Sequence, residues 1–341
     1  MTISVHSANI DADGQLIVDF LARNHTTDST RERFDWLYRN GPAGPARVWM
    51  SRDSETQDII GMAAAFPRCI YKDGVEVEGW VLGDFCIATQ YRSLGPAVQL
   101  QRACLMGIES AHALNFDFPS ATMVAVYRRL QILPRLRLIR LAKPLRVDAK
   151  ISAVIKHPHA AHILSAMINT GLAIRDLALE RKSRLKASFQ LETCGEEFSA
   201  LARAIGSTAG TCVQRSAEYL NWRYQKHPYR QYEIVTLRDQ GTLVAYAVIY
   251  QDGKHVSLAD MFGDETAIPD LVRSVLSLAK ERKMDSVTVG IIENHRWHKE
   301  FLNMAFLPRE SFPVIIGPPD DEIQRKSAVS GWLLMNGDRE S

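Results

Sequence analysis

The spacing of hydrophobic residues changes along the chain, and these changes predict a series of strands and helices. Apolar residues recur every three to four positions in the predicted helices, and in alternating or short continuous runs in the predicted strands. In the first half the elements follow in this order: strand 3–9, helices 14–24 and 31–40, strands 47–50, 59–71 and 75–88, helix 96–113, strand 116–118, helix 120–130 and strand 136–147. The dipeptide Asp73-Gly74 predicts the hairpin turn between the two long strands.

The second half has a similar pattern of elements. They are strand 188–193, helices 196–206 and 216–226, strands within 232–262, helix 268–282, strand 286–292, helix 295–304 and strand 313–317. Strands and helices are thus mixed along both halves, which predicts an α/β (α+β) fold with a sheet layered by helices.

Two short motifs also occur twice, in the same order. The pattern Trp-x-Tyr-x-x-x-Pro occupies 36–42 and again 222–228, and Leu-Pro-Arg occupies 133–135 and again 307–309. Repeated motifs of this kind indicate copies of one structural unit. We therefore predict two related domains, at 1–150 and 187–341, joined by a helical connector at 151–186.

The composition excludes several classes of protein. The chain is 46% hydrophobic and 23% charged, which is typical of a globular protein, and its net charge of +2 predicts no nucleic-acid partner. Five cysteines without a CxxC pair indicate reduced thiols in a cytoplasmic protein and no metal site. The first residues lack a signal-peptide pattern, and polar residues interrupt the apolar segment 160–179, so we expect neither secretion nor a membrane span.

The most informative segment is a strand that leads through a turn into a helix, from Asp84 to Cys104. Helix N-termini present unpaired backbone N–H groups and a partial positive charge, so such a turn can bind an anion. The small residues Gly95 and Ala97 leave the backbone accessible, and Pro96 suits the first helical position. The predicted phosphate-binding residues are Arg92, Ser93, Leu94, Gly95, Pro96 and Ala97.

The pattern Arg92-x-x-Gly95-x-Ala97, placed between a strand and an apolar helix, resembles the pyrophosphate-binding motif of the GNAT superfamily of acyl-CoA N-acyltransferases. The resemblance covers nearly all of the first copy. It implies two tandem GNAT-like domains, each a mixed and mostly antiparallel sheet flanked by helices. It also implies acetyl-CoA or another acyl-CoA as substrate, with its pantetheine arm beside Phe85, Cys86, Ile87 and Ala88.

The same resemblance indicates candidate catalytic residues. Asp84 lies where the superfamily often has an acidic general base, and Glu78 on the same strand is the alternative. Tyr127 lies where many members have a general acid beside the CoA sulfur. A phenol can protonate a leaving thiolate.

The second copy lacks the phosphate-binding pattern. The residues that follow its corresponding strand include Asp264 and Glu265, which would repel phosphate groups. We therefore expect only the first domain to bind acyl-CoA, and the second to shape an acceptor pocket between the domains.

A basic run from Arg128 to Arg146 contains no acidic residue. It is either a solvated surface or a contact for phosphate groups or a membrane surface.

The sequence therefore predicts an N-acyltransferase that moves an acyl group from acyl-CoA to a small amine, such as an amino sugar of a polysaccharide pathway. Two alternatives stay open. The first is a transferase of the same fold that uses aminoacyl-tRNA, which would lack the CoA motif and have a wider basic surface. The second is a non-catalytic sensor that binds acyl-CoA.

Overall fold

The structure is a computed structural model that describes residues 2–25, 28–108, 113–179, 185–190, 192–206, 208, 210–317 and 331–339. The strands are β1 (Ile3–Ala8), β2 (Arg47–Asp53), β3 (Ile59–Lys72), β4 (Val75–Ile87), β5 (Leu114–Asp117), β6 (Leu136–Pro144), β7 (Lys186–Gln190), β8 (Thr211–Val213), β9 (Glu233–Asp239), β10 (Thr242–Asp252), β11 (His255–Gly263), β12 (Ser286–Ile292), β13 (Leu307–Gly317) and β14 (Trp332–Leu333). The helices are α1 (Gly14–Asn24), α2 (Arg31–Phe34), α3 (Leu94–Ile108), α4 (Ala121–Arg129), α5 (Asp148–Val154), α6 (Pro158–Leu179), α7 (Glu196–Gly206), α8 (Ala217–Leu220), α9 (Ile268–Glu281) and α10 (Arg296–Asn303).

A single large sheet runs through both halves of the chain, in the order β1-β2-β3-β4-β5-β13-β6-β12-β11-β10-β9-β7. Most neighbouring strands are antiparallel, and the parallel pairs β4–β5 and β11–β12 occupy equivalent positions in the two halves. Helices flank this sheet, so the predicted fold class is confirmed.

The two halves exchange their last strands. Strand β13 of the second half lies between β5 and β6 of the first, and β6 pairs on its other side with β12. The predicted domain limits at residues 150 and 186 stay a prediction. In the sheet, however, the halves interlock across them.

The repeated Trp-x-Tyr motifs form equivalent helical turns in the two halves. In each copy a hydroxyl caps a short helix: Thr30 accepts from the N–H of Arg33, and Ser216 accepts from the N–H of Tyr219. Each helix then widens into a π-helical turn, at 35–39 and at 221–225. The predicted helices 31–40 and 216–226 therefore each consist of an α-helical and a π-helical part.

The two π-helical turns contact each other through their tryptophans. The indole N–H of Trp36 donates to the carbonyl of Trp222 at 2.8 Å, and that of Trp222 donates to the carbonyl of Trp36 at 2.9 Å. The two rings stack with their centres 5.2 Å apart. This reciprocal pair of bonds relates the halves by an approximate two-fold symmetry, which supports the repeat found in the sequence.

Helix α3 packs closely on the sheet because it has a glycine where it meets an indole ring. A Cβ at Gly107 would lie 2.3 Å from the ring of Trp49. On the same face, Leu100 and Cys104 are buried. This packing fixes the direction of α3 and places its N-terminus beside the end of β4.

The predicted connector forms the two helices α5 and α6. Among the described helices, none combines the length and the apolar composition that a membrane-spanning segment needs.

Candidate active-site cleft

A cleft of about 960 Å³ opens where two parallel strands of the sheet separate. Strands β4 and β5 are paired from Gly79 and Leu114 to Val81 and Phe116. Beyond that point β5 ends at Asp117, whereas β4 continues to Ile87. Among the described residues, this last part of β4 pairs only with β3. One edge of the β4 backbone therefore faces the cleft.

A β-bulge turns this part of β4. Its pairing with β3 shifts register between Met62 and Ala64, opposite residues 83–86, and Asp84 has a left-handed φ of 45°. A non-glycine residue adopts this conformation at some cost, so the bulge is held by the surrounding contacts. The predicted residues Phe85, Cys86 and Ile87 line the cleft. Ala88 does not, and its N–H donates to the carbonyl of Ile60 at 2.9 Å.

The N-terminus of α3 forms the adjoining wall of the cleft, which Ser93, Leu94 and Ala97 line. The sequence analysis placed Pro96 at the first position of the helix. The helix in fact begins at Leu94, so Pro96 is its third residue. The first four N–H groups of a helix have no intrahelical partner. Because proline has no N–H, the donors of this first turn are Leu94, Gly95 and Ala97.

Gly95 has no packing role within the protein. A Cβ added there would meet no atom within 4 Å, although glycine lowers the stability of a helix. Gly95 and Pro96 themselves do not line the cleft, but they lie between Leu94 and Ala97, which do. The open space at Gly95 leaves room for a ligand at the end of the helix.

Arg92 lies at the mouth of the cleft. Its guanidinium donates to the carbonyl of Ile87 at 3.2 Å and to that of Asn24 at 3.4 Å. The side chain is exposed and is held next to the N-terminus of α3, so its positive charge adds to that of the helix end.

Asp84 is buried in a network of charged and polar groups. Arg33 donates to both of its carboxylate oxygens, at 2.7 and 3.0 Å, and the hydroxyl of Tyr38 donates to it at 2.6 Å. Burial alone would raise the pKa of Asp84. The charge of Arg33 and the hydrogen bonds from His25, Arg33 and Tyr38 instead hold this pKa well below its usual range. Such a carboxylate is a weak proton acceptor.

An equivalent network exists in the second half, away from the cleft. Asp260 accepts from Arg215 at 3.0 Å and from the hydroxyl of Tyr224 at 3.0 Å, and its side chain is completely buried. Tyr38 and Tyr224 are the tyrosines of the repeated motif. Because the half without the phosphate-binding pattern has the same Asp–Tyr pair, this pair stabilises the fold. A catalytic role for Asp84 stays a prediction.

Tyr127 does not line the cleft and is completely buried. Its hydroxyl donates to Asp117 at 2.6 Å and accepts from the side-chain amide of Gln101 at 3.0 Å. Burial and the charge of Asp117 raise the pKa of Tyr127 well above its usual value. The hydroxyl of Tyr127 is thus connected with the cleft through Asp117 and Gln101, which both line it. Its role as general acid stays a prediction.

Asp117 is an ionisable cleft residue that the sequence analysis missed. Burial raises its pKa to about 6, against the opposing effects of the Tyr127 hydrogen bond, the N–H of Phe118 and the charge of Arg339. A group with this pKa can exchange protons near neutral pH. The sequence signal was its position at the carboxyl end of β5, because the ends of neighbouring parallel strands often hold binding and catalytic groups.

Glu78, the alternative base, lies outside the cleft. It is exposed on the part of β4 that is still paired with β3, and it lines a separate shallow groove with Arg47 and Trp80. Its role as the alternative base stays a prediction.

The second half closes the other side of the cleft with His227, Tyr229, Arg230 and Arg339. Burial and neighbouring arginines lower the pKa of His227 to about 4, so its imidazole is neutral at pH 7. This agrees with the expectation that the second copy shapes part of the pocket.

The basic run from Arg128 to Arg146 is divided among several partners. Arg140 pairs with Glu310, and Arg146 pairs with Asp148 at 3.0 Å. Lys143 is buried and pairs with Asp176 at 3.0 Å. The run is therefore partly neutralised within the protein. Among the described residues, no group of three His, Cys, Asp or Glu side chains is arranged to hold a metal ion.

Solved structures of similar shape identify the fold, although no family model matches the sequence and no curated protein does either. A GCN5-related N-acetyltransferase from Anabaena variabilis matches with a TM-score of 0.65 and 14% identity, over 92% of this chain and 72% of that one. Saccharomyces cerevisiae N-myristoyltransferase with bound myristoyl-CoA matches with a TM-score of 0.60 and 15% identity, over 97% of this chain and 89% of that one. A GCN5-related N-acetyltransferase from Kribbella flavida matches with a TM-score of 0.60 and 12% identity, over 92% of this chain and 71% of that one.

This chain therefore shares its fold with these GCN5-related N-acetyltransferases and with N-myristoyltransferase, in agreement with the resemblance found in the sequence. This chain has the fold in the form of two interlocked copies.

Proposed function

We propose that this chain is an acyl-CoA-dependent N-acyltransferase whose first copy binds the acyl donor. The observation that supports this most strongly is the coincidence of two features at one cleft. The edge of β4 is exposed where β5 diverges, and the N-terminus of α3 adjoins it. A cleft of this form can bind an extended thioester chain along the strand and a diphosphate at the helix end.

In this proposal the pyrophosphate of CoA accepts hydrogen bonds from the N–H groups of Leu94, Gly95 and Ala97, and Arg92 supplies a further positive charge. The pantetheine arm pairs with the strand edge that Phe85 to Ile87 form. Acetyl-CoA is the first donor to test. The N-myristoyltransferase of similar fold was solved with a much longer acyl chain, so donors of increasing chain length belong in the same titration.

The acyl group passes from the thioester to the nitrogen of an amine, which must be neutral to attack. We assign the acceptance of its proton to Asp117, because its position in the cleft and a pKa of about 6 suit a general base. When the tetrahedral intermediate collapses, the C–N bond remains, the C–S bond breaks, and CoA leaves as a thiolate that takes up a proton.

The acceptor enters from the side that the second half lines with His227, Tyr229 and Arg230. A small amine fits this description, and an amino sugar stays the predicted acceptor from the sequence resemblance. A panel of amino sugars, amino acids and simple amines, assayed for release of free CoA, tests this part of the proposal.

The binding of acyl-CoA is tested by changing Gly95 to Asp. The new carboxylate would repel the diphosphate, so we expect the Kd for acetyl-CoA to rise by at least about tenfold. The variant should fold normally, because a Cβ there meets no atom within 4 Å and an acid near a helix N-terminus is favourable. Isothermal titration calorimetry measures the effect.

The matched control is Gln99→Asp, which adds the same charge on the exposed surface of α3 beyond its first turn. It should bind acetyl-CoA almost as the wild type does. Equal affinity in the wild type and Gly95→Asp would contradict the assigned phosphate position. Absence of acyl-CoA binding in the wild type would favour the aminoacyl-tRNA alternative, and tight binding without turnover of any acceptor would favour a sensor.

A further inference from the structure

Helix α6 exposes several large apolar side chains to the solvent and buries few of its residues. Its buried residues are Ala161, Ser165 and Asp176. Its exposed residues include large apolar side chains along one side, with exposed fractions of 61% for Ile163, 68% for Met167, 64% for Ile174 and 70% for Leu177. A surface helix usually buries its large apolar side chains, so their exposure on one side of α6 is unusual.

Specific polar contacts hold α6 in this orientation. Asp176 pairs with Lys143 at 3.0 Å and with Lys280 of α9 at 3.1 Å. The side chain of Asn169 accepts from the N–H of Val147 and donates to Asp148, both at 3.0 Å. The helix cannot rotate its apolar side inward without breaking a buried ion pair, which is costly. The apolar surface is therefore fixed outward.

Three exposed lysines lie in the described segments that precede and follow this helix in the sequence. Lys150 and Lys156 lie before the helix and Lys186 lies after it, and all three are exposed. Both carboxylates in the described part of 146–179, Asp148 and Asp176, form ion pairs with cations of this chain. A second copy of the chain would bring like charges together, whereas an anionic surface would complement them.

We propose that the α6 surface, formed by Ile163, Met167, Ile174 and Leu177 and bordered by Lys150 and Lys156, binds the headgroup region of an anionic lipid bilayer. Exposed apolar side chains next to lysines can insert into the interface of an anionic bilayer without the helix crossing it. The ion pair of Asp176 with Lys143 attaches α6 near the Pro144 end of β6. Leu136, at the other end of β6, pairs with β13 next to the residue of β13 that pairs with Asp117. At the usual rise per residue of a strand, Leu136 and Pro144 are about 26 Å apart.

None of the four residues that form the α6 surface lines the cleft. The proposal therefore does not depend on the chemistry assigned to the cleft, and it predicts that the α6 surface locates the protein at a membrane without changing its turnover.

The test is flotation of the full chain with vesicles of phosphatidylcholine and phosphatidylglycerol, compared with vesicles of phosphatidylcholine alone. We expect binding to the anionic vesicles. The triple variant Ile163→Gln, Met167→Gln and Ile174→Gln should bind them at least about tenfold more weakly, because binding scales with the buried apolar area. All three side chains are exposed, so its melting temperature should match that of the wild type.

The control variant replaces three other apolar side chains of similar exposure, Val75, Met106 and Leu133, by Gln. It should bind the vesicles as the wild type does. The proposal is overturned if the wild type does not float with anionic vesicles, or if the α6 variant floats as well as the control. It is also overturned if analytical ultracentrifugation shows a dimer that only the α6 substitutions dissociate, since the surface would then bind a second copy.

Discussion

Replacing Asp117 by Asn is expected to lower kcat by about 10²–10⁴-fold, the usual contribution of a general base, and to change the Kd for acyl-CoA little. The amide oxygen of Asn can still accept the hydrogen bond from Tyr127, so the buried network is retained. Steady-state kinetics with the best acceptor of the panel, together with calorimetry, would separate the two effects.

The pH dependence gives a second test of Asp117. Its pKa is raised to about 6, so it is a carboxylate above that pH and a carboxylic acid below it. Only the carboxylate accepts a proton, so kcat/KM of the wild type should fall as the pH drops through about 6. This inflection should be absent in Asp117→Asn. An unchanged inflection in the variant, or full activity at neutral pH, would exclude Asp117 as the base.

Tyr127→Phe distinguishes a positioning role from the general-acid role that the sequence predicts. The hydroxyl of Tyr127 lowers the pKa of Asp117 by donating a hydrogen bond to it, so its loss should raise that pKa further. The pH profile would then shift upward while much of the activity at high pH remains. A loss of kcat at every pH, without a shift, would instead support Tyr127 as the acid.

Asp84→Ala is expected to lower the free energy of unfolding by about 3–5 kcal/mol, because it leaves the buried guanidinium of Arg33 without its carboxylate. The hydroxyl of Tyr38 would also lose its acceptor. Urea denaturation followed by tryptophan fluorescence measures this change. The matched control is Asp35→Ala, whose partly exposed ion pairs with Arg31 and Arg39 should contribute less than about 1 kcal/mol.

The same ion pair predicts how stability depends on pH. The pKa of Asp84 is lower in the folded chain than in the unfolded chain, where it is about 3.9. Its contribution is therefore fully present well above pH 4 and is lost as the pH falls below that value. The wild type should lose more stability than Asp84→Ala between neutral and acidic pH. If Asp84→Ala kept its stability but lost turnover, the result would support Asp84 as the general base.

Local patterns in the sequence predicted those parts of the structure that depend on neighbouring residues. The hairpin of β3 and β4 and the helix after Arg92 follow from turn residues and apolar spacing over a few positions. The repeated Trp-x-Tyr motif indicated two copies. The start of α3 was predicted two residues late, because Pro96 is tolerated within the first helical turn as well as at its first position.

The groups that define the cleft were harder to predict, because they come from distant parts of the chain. The partner of Asp84 is Arg33, 51 residues earlier in the sequence, and no local pattern links them. Tyr127 was correctly placed on a helix next to the cleft, but only the packing of α4 shows that its hydroxyl faces Asp117. The exchange of β6 and β13 depends on pairing between strands of different halves, which periodicity does not specify.

The exchanged strand also has a consequence for the order in which the cleft is completed during synthesis. Asp117 at the end of β5 pairs with Ile315 of β13, almost 200 residues later. A nascent chain that has emerged only through the first copy has β5 with an unpaired edge, which is prone to pair with other strands. The pairing that positions Asp117 can form only after β13 has been synthesised. The donor-binding half therefore emerges from the ribosome before its proposed base is held in place.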